Sequence, residues 1–229
     1  MGYYSRGIVA VLDDLLSPGM VVVDAGANVG EISLVASRRV GVDGRVYAFE
    51  PMPRLHQQLV LHAKENGLVQ LECIELALGE TSSDCQPIYL DCGQEGADVN
   101  LGLGSLVEQE GRHAAGNVRV VTLDSWVECR RLERLDLIKI DVEGSEMALL
   151  SGASRTLARF RPRIVIEIQQ HTAERAGHHS HDVFGFLQGL GYQMQRIGDD
   201  GELLSIAHAG ELLAYQNVLC IPAPRSLDA

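Results

Sequence analysis

The sequence predicts an α/β fold in which a mainly parallel sheet carries helices on both faces. Strand and helix patterns alternate along most of the 229 residues, as expected for parallel strands joined by helical crossovers. The β-branched run Val21-Val22-Val23 ends in Asp24 and opens into Gly26-Ala27-Asn28-Val29-Gly30, so a buried strand delivers its carboxyl end to a tight turn before a helix. A second strand pattern, Arg45-Val46-Tyr47-Ala48-Phe49, ends in Glu50, twenty residues after Gly30. A carboxylate at that offset is placed to accept hydrogen bonds from ribose hydroxyls. The two strand ends together point to a cofactor that carries adenosine.

Each element follows from local signals. Residues 4–16 read as a short amphipathic helix closed by Ser17-Pro18-Gly19. The first strand, its glycine turn and a helix over 31–39 come next, and Gly41-Val42-Asp43-Gly44 turns the chain into the second strand. Pro51-Met52-Pro53 suits a helix start, and Asn66-Gly67 ends that helix. Residues 71–78 predict a third strand. The stretch 80–116, rich in Gly, Ser, Asp and Gln, has only short strand-like pieces such as Pro87-Ile88-Tyr89-Leu90 and is read as a lid-like insertion. Strand patterns resume at 118–123 and 135–142. A single helix is expected over 145–160, then a strand over 163–168 and a polar, histidine-rich loop over 169–181. Asp182 is expected to cap a helix, and two final strands follow at 192–197 and 216–221. The expected organisation is one domain over residues 1–229.

Composition narrows the class. The chain is 46% hydrophobic and 22% charged, with a formal net charge of −12, which argues against general affinity for nucleic acid phosphates. Five scattered cysteines form no C-x-x-C pair, so a disulfide framework is not expected and a cytoplasmic location suits them. No basic start followed by an apolar core and no run of membrane-spanning length is present, so no membrane partner is expected. No motif encodes the oligomeric state.

The glycine turn discriminates between cofactors. A dinucleotide site needs a glycine at its second position so that the backbone can approach a pyrophosphate; here Asn28 stands there. The Asp24 carboxylate would repel a diphosphate and suits a ligand with a positive α-amino or sulfonium group, such as S-adenosylmethionine. The D-x-G-x-N-x-G turn with Phe49-Glu50-Pro51 resembles the class I S-adenosylmethionine-dependent methyltransferases. Ile138-Lys139-Ile140-Asp141-Val142-Glu143-Gly144-Ser145-Glu146, followed by Gly152-Ala153 and Pro162-Arg163-Ile164-Val165-Ile166-Glu167, resembles the FkbM family within that class. Thr122-Leu123-Asp124-Ser125-Trp126 and Asn217-Val218-Leu219 match its layout. The resemblance implies a Rossmann-like, seven-stranded sheet with the last strand antiparallel. It also implies that Asp24, Gly26, Asn28 and Gly30 line the methionine half of the cofactor, Glu50 holds the ribose, and Ala77 meets the adenine. Members of the family methylate hydroxyls on sugars, polyketides or other small natural products, so a small hydroxylated acceptor is the expected partner.

Transfer of a methyl group from a sulfonium needs alignment and removal of the hydroxyl proton. Asp141 ends the fourth core strand and Glu143 lies two residues on, so both can face one pocket. For Asp141 the alternatives of cofactor contact, catalytic base and metal ligand stay open beside a plain helix cap. Glu146 sits where a helix dipole favours a carboxylate regardless of function. Lys139 is read as a strand-end lysine with its charge at the surface, and Glu167 as facing the ligand edge of the sheet. His171 is a candidate general base. His178, His179 and His181 lack a diagnostic ligand spacing, and no metal ligand is assigned. Two other readings remain: a nicotinamide-dependent oxidoreductase, against which Asn28 and Asp24 count, and a catalytically silent binding or scaffold protein.

Overall fold

Alternation along each core strand decides which side chain enters which layer, and a computed structural model describes the result for residues 6–91, 104–108 and 111–224. Strands β1 (Val21–Ala25), β2 (Arg45–Phe49) and β3 (Leu71–Ile74) are connected by helices α2 (Glu31–Val40) and α3 (Pro53–Glu65), and α1 (Arg6–Leu15) precedes them. The two-residue β4 (Ala77–Leu78) and the longer β5 (Ser83–Asp91) lead to β6 (Arg112–Val121) and α4 (Leu123–Arg130). The remainder is β7 (Leu137–Ile140), α5 (Glu146–Ser151), α6 (Ser154–Phe160), β8 (Arg163–Gln169), α7 (Gln170–Arg175), α8 (Ser180–Gly189), β9 (Tyr192–Ile197), β10 (Leu203–Ile206) and β11 (Tyr215–Pro222).

The main sheet runs β10-β9-β11-β8-β7-β1-β2-β3. Strands β3, β2, β1, β7 and β8 are parallel, and β11 is antiparallel to both of its neighbours. Ile138, Ile140, Ile164 and Ile166 face a layer with Trp126, Leu149, Leu157 and Leu187. Leu137, Val165 and Leu219 face the opposite layer, with Leu12, Ala36 and Leu59. Trp126 meets the rings of Tyr47 and Phe49 edge-on at 4.8 and 5.1 Å, a geometry that the ring quadrupoles favour. Neighbours of β1 continue the chain in opposite directions, which opens a crevice at the carboxyl ends of β1 and β7.

Several expectations change. The sheet has eight strands rather than seven, because the Gly198–Gly201 backbone turn folds β10 back along β9 as an additional edge strand. The third strand is not continuous over 71–78. The Leu76 amide donates to the Ile74 carbonyl at 2.9 Å, and this tight turn passes Ala77 and Leu78 to a separate three-stranded sheet, β4-β6-β5. Within the insertion β5 covers nine residues, longer than the sequence suggested. Residues 4–5 of the expected first helix and positions 92–103 (Cys92 among them) and 109–110 of the insertion lie outside the described residues. The loop expected over 169–181 contains α7. Asp182 lies inside α8 and caps it by accepting from the His179 amide at 2.7 Å. Among the described residues no helix is long and apolar enough to cross a membrane.

The helix expected over 145–160 is broken at Gly152, where a Cβ would come 2.1 Å from the Gly79 carbonyl oxygen. Asp124 restarts it: its carboxylate accepts from the Thr156 and Arg155 amides at 2.7 and 3.1 Å, and its own amide donates to the Gly152 carbonyl. The contact at Gly152 is backbone against backbone, so neither side can yield by changing a rotamer. Gly152→Ala is expected to cost about 1–3 kcal/mol of stability, read as a lower urea midpoint at unchanged slope.

Candidate active site

The crevice is a cavity of about 760 Å³, within the range of small-molecule and cofactor sites. Asp24, Gly26, Asn28, Glu50 and Ala77 line it from one side, and Asp141, Glu143 and His171 from the other. Gly30 does not line it. The turn carries Gly30 away to start α2, where it packs against Leu59.

The turn after β1 is held by the strand ends around it. Gly26 has φ 77° and approaches the Asp141 backbone so closely that a Cβ would lie 1.8 Å from its carbonyl oxygen; only glycine fits. Asn28 also has a left-handed backbone, φ 53°, a conformation that asparagine tolerates better than most residues. The Asn28 amide donates to Glu50 Oε2 at 2.8 Å and the Met52 amide to Oε1 at 2.9 Å. Asn28 therefore shapes the turn through its backbone while lining the cavity. Burial pushes the Glu50 carboxyl up to about 7, against the pull of those two amides.

Lys139 corrects the sequence reading: it is 2% exposed, not at the surface. It pairs in register with Asp24 on β1, and its Nζ lies 2.8 Å from Asp141 Oδ2. Burial opposes its charge, but Asp141 and Asp24 outweigh that and hold the ammonium above its ordinary value. Asp24 accepts from Ser33 Oγ at 2.5 Å, yet burial still raises its carboxyl. Burial also works against Asp141, but Lys139 holds it below the usual carboxylate range.

One step beyond the paired residues Ile140 and Ile166 come Asp141 and Glu167, and Glu167 pairs with Asn217 on β11. Carboxylate oxygens of Asp141, Glu143 and Glu167 lie within 4.8 Å of one another. Tyr215 donates its hydroxyl to Glu167 Oε1 at 2.8 Å. Burial, then the charges of Asp141 and Glu143, push the Glu167 carboxyl up to about 8. Lys139, in contact with Asp141, offsets part of the charge of this cluster. Glu143 has φ 49°, and its carbonyl accepts from Ser105 Oγ of the insertion at 2.7 Å.

Glu146 is buried and accepts from the Gly144 amide at 3.0 Å, apart from the cavity lining. His171 is exposed on α7. Among the described residues no histidine joins a group spaced to hold a metal ion. Lys139, Tyr215, Asn217 and Arg175 also line the cavity and were not assigned from sequence. Period two was the available signal for Lys139, since it shares a strand face with Asp141. Tyr215 stands two residues before Asn217 on the same strand face, but only the register of β11 against β8 brings it to Glu167.

Burial makes the protonated form of Glu50 the favoured one in the folded chain. The stability this confers is fully present below the unfolded carboxyl value of 4.5 and falls as pH rises through about 7. Glu50→Gln removes that dependence. The stability of the variant relative to the native chain should rise by roughly 3 kcal/mol between pH 4.5 and pH 8, measured by urea denaturation across that range.

Comparison with known proteins places this cavity in a family. Residues 24–194 match the methyltransferase FkbM domain. Methyltransferase sdnD of Sordaria araneosa is 28% identical over 199 residues, covering 76% of this chain and 74% of that protein. The 2-O-methyltransferase NoeI of Sinorhizobium fredii (strain NBRC 101917 / NGR234) is 28% identical over 169 residues, or 68% of this chain and 65% of its own length. The crystal structure of methyltransferase FkbM from Methylobacillus flagellatus KT superposes with a TM-score of 0.56 at 17% identity, covering 90% of this chain. This chain spans only 44% of that structure, and the likeness shows the fold, a class I methyltransferase α/β architecture. With the family match extending from the β1 carboxylate into β9, the chain belongs to the FkbM methyltransferase family.

Proposed function

We propose that this chain transfers a methyl group from S-adenosylmethionine to a hydroxyl of a sugar, a polyketide or another small natural product, with the insertion over 80–116 acting as a lid. The observation that carries this reading is one cavity with two acidic ends. Asp24 and Glu50 stand at adjacent strand ends on one side, and Asp141, Glu143 and Glu167 face them. The naming of NoeI as a 2-O-methyltransferase supports oxygen as the accepting atom.

In this reading Asp24 faces the cationic amino acid half of the cofactor, Gly26 and Asn28 let it approach the backbone, Glu50 accepts from ribose hydroxyls, and Ala77 borders the adenine. S-adenosylmethionine, when bound, supplies an electrophilic methyl carbon on its sulfonium. The chain's own work is alignment, worth up to about 7–11 kcal/mol of barrier in well-oriented reactions, and removal of one proton. Asp141, fixed by Lys139, orients the acceptor through hydrogen bonds to its hydroxyls. Glu143 and His171 face the same acceptor from the loop after β7 and from α7. A nicotinamide dinucleotide meets a side chain at Asn28 and a carboxylate at Asp24, both unfavourable to a diphosphate.

Two measurements test this. Calorimetric titration with S-adenosylhomocysteine should give binding that Asp24→Ala and Glu50→Ala each weaken at least tenfold, a loss of about 1.4 kcal/mol. NADP⁺ should not bind. Unchanged affinity in both variants removes the cofactor assignment, and tight NADP⁺ binding would favour an oxidoreductase. Incubation with methyl-labelled S-adenosylmethionine and a panel of methyl glycosides and macrolide aglycones should transfer label to a hydroxyl oxygen.

A further inference from the structure

Three carboxylates converge on the acceptor side of the cavity, and their surroundings differ. Asp141 is bound to Lys139 at 2.8 Å and kept ionised, which makes it a hydrogen-bond acceptor but a weak base. Glu143 sits in a left-handed turn anchored by Ser105 through its carbonyl. Glu167 lies between them and β11, facing Asp141 and Lys139 from β7, Glu143 from the following loop, and Tyr215 from β11. His171 and Arg175 border the same cavity from α7. Carboxylate oxygens of Glu167 and Asp141 lie within 4.8 Å of each other, and the Tyr215 hydroxyl donates to Glu167 Oε1 at 2.8 Å.

Resting on the methyl-transfer reading above, we propose that Glu167 is the base that takes the acceptor hydroxyl proton, and that it releases its own proton to solvent when the cofactor's sulfonium is seated in the cavity. Burial and the charges of Asp141 and Glu143 together hold a proton on Glu167, and a positive charge entering the cavity offsets the second of these. An opposite charge at about 4–6 Å lowers a carboxyl by roughly 1–3 pH units, enough to ionise a group that titrates at about 8. In the transfer step the acceptor oxygen forms its bond to the methyl carbon while the carbon–sulfur bond breaks and leaves its electron pair on sulfur. The hydroxyl proton passes to Glu167, and neutral S-adenosylhomocysteine remains. Loss of the sulfonium charge lets Glu167 keep that proton until the product leaves. Tyr215 is a positioning residue in this scheme.

The test is the proton count on binding, from calorimetry at pH 7 in buffers of different ionisation enthalpy. S-adenosylmethionine should release roughly half a proton or more beyond S-adenosylhomocysteine, given a carboxyl moved through neutrality. The two ligands share the amino acid and adenosine groups that face Asp24 and Glu50, so their difference isolates the methyl's charge. Glu167→Gln should abolish the difference while S-adenosylhomocysteine still binds. Tyr215→Phe should move its midpoint to higher pH, because a stabilising donor to the carboxylate is lost. On a methyl glycoside that the native protein methylates, Glu167→Gln should lower kcat about 100-fold or more with KM changed less than about threefold. Equal proton release for both ligands on the native protein overturns the inference, as does a difference that persists in Glu167→Gln or an unchanged kcat. Failure of both ligands to bind the native protein overturns the cofactor reading instead.

Discussion

With 2% of its surface exposed, Lys139 carries a full charge into the interior of a parallel sheet, where an unpaired ion is far costlier than in water. Its place is set by strand register, since β1 and β7 align Asp24 beside it and Asp141 follows two residues along its own strand. Neither carboxylate alone fixes the arrangement: Asp141 supplies the 2.8 Å contact, and Asp24 a second charge on the neighbouring strand. Both halves of the cavity are therefore organised around one ammonium. The same residue that keeps the sheet electrostatically tolerable also holds Asp141 ionised.

Carboxylates in this cavity behave differently within a short distance of one another. Asp141 is ionised because Lys139 touches it. Glu50 is drawn towards neutrality in its titration by burial, even though two backbone amides donate to it. Glu167 is raised further by burial and then by the like charges of Asp141 and Glu143. Environments that push identical groups apart in acidity are how one site can assign separate tasks to them. In this cavity the spread follows from how strongly each group is buried and from which neighbour it touches, with no unusual residue required.

The parts legible in the sequence are those in which cause and effect are local. A valine run, an acid and a glycine turn lie within ten residues, so strand, turn and helix start could be read together, as could Glu50 at the end of the next strand. Asp141 and Glu143 were legible because they share a strand end. Lys139 was misread because its burial depends on Asp24, which is distant in the chain and adjacent only through register. Tyr215 and Glu167 are likewise joined only by the antiparallel pairing of β11 with β8. The need for glycine at 152 was invisible for a related reason: the backbone it approaches is that of Gly79, brought there by the β4 detour. The additional strand β10 was missed although its turn was read, because Leu203 and Leu204 lie on an exposed edge and lack a buried strand's pattern.

The hydrogen bond from Ser105 to the Glu143 carbonyl joins the insertion to the loop that ends the central strand. The small sheet thus behaves as an outrigger lashed to the hull. Exchanging this insertion for a longer or shorter one would require some other donor at the Ser105 position, or the left-handed turn at Glu143 would lose its brace.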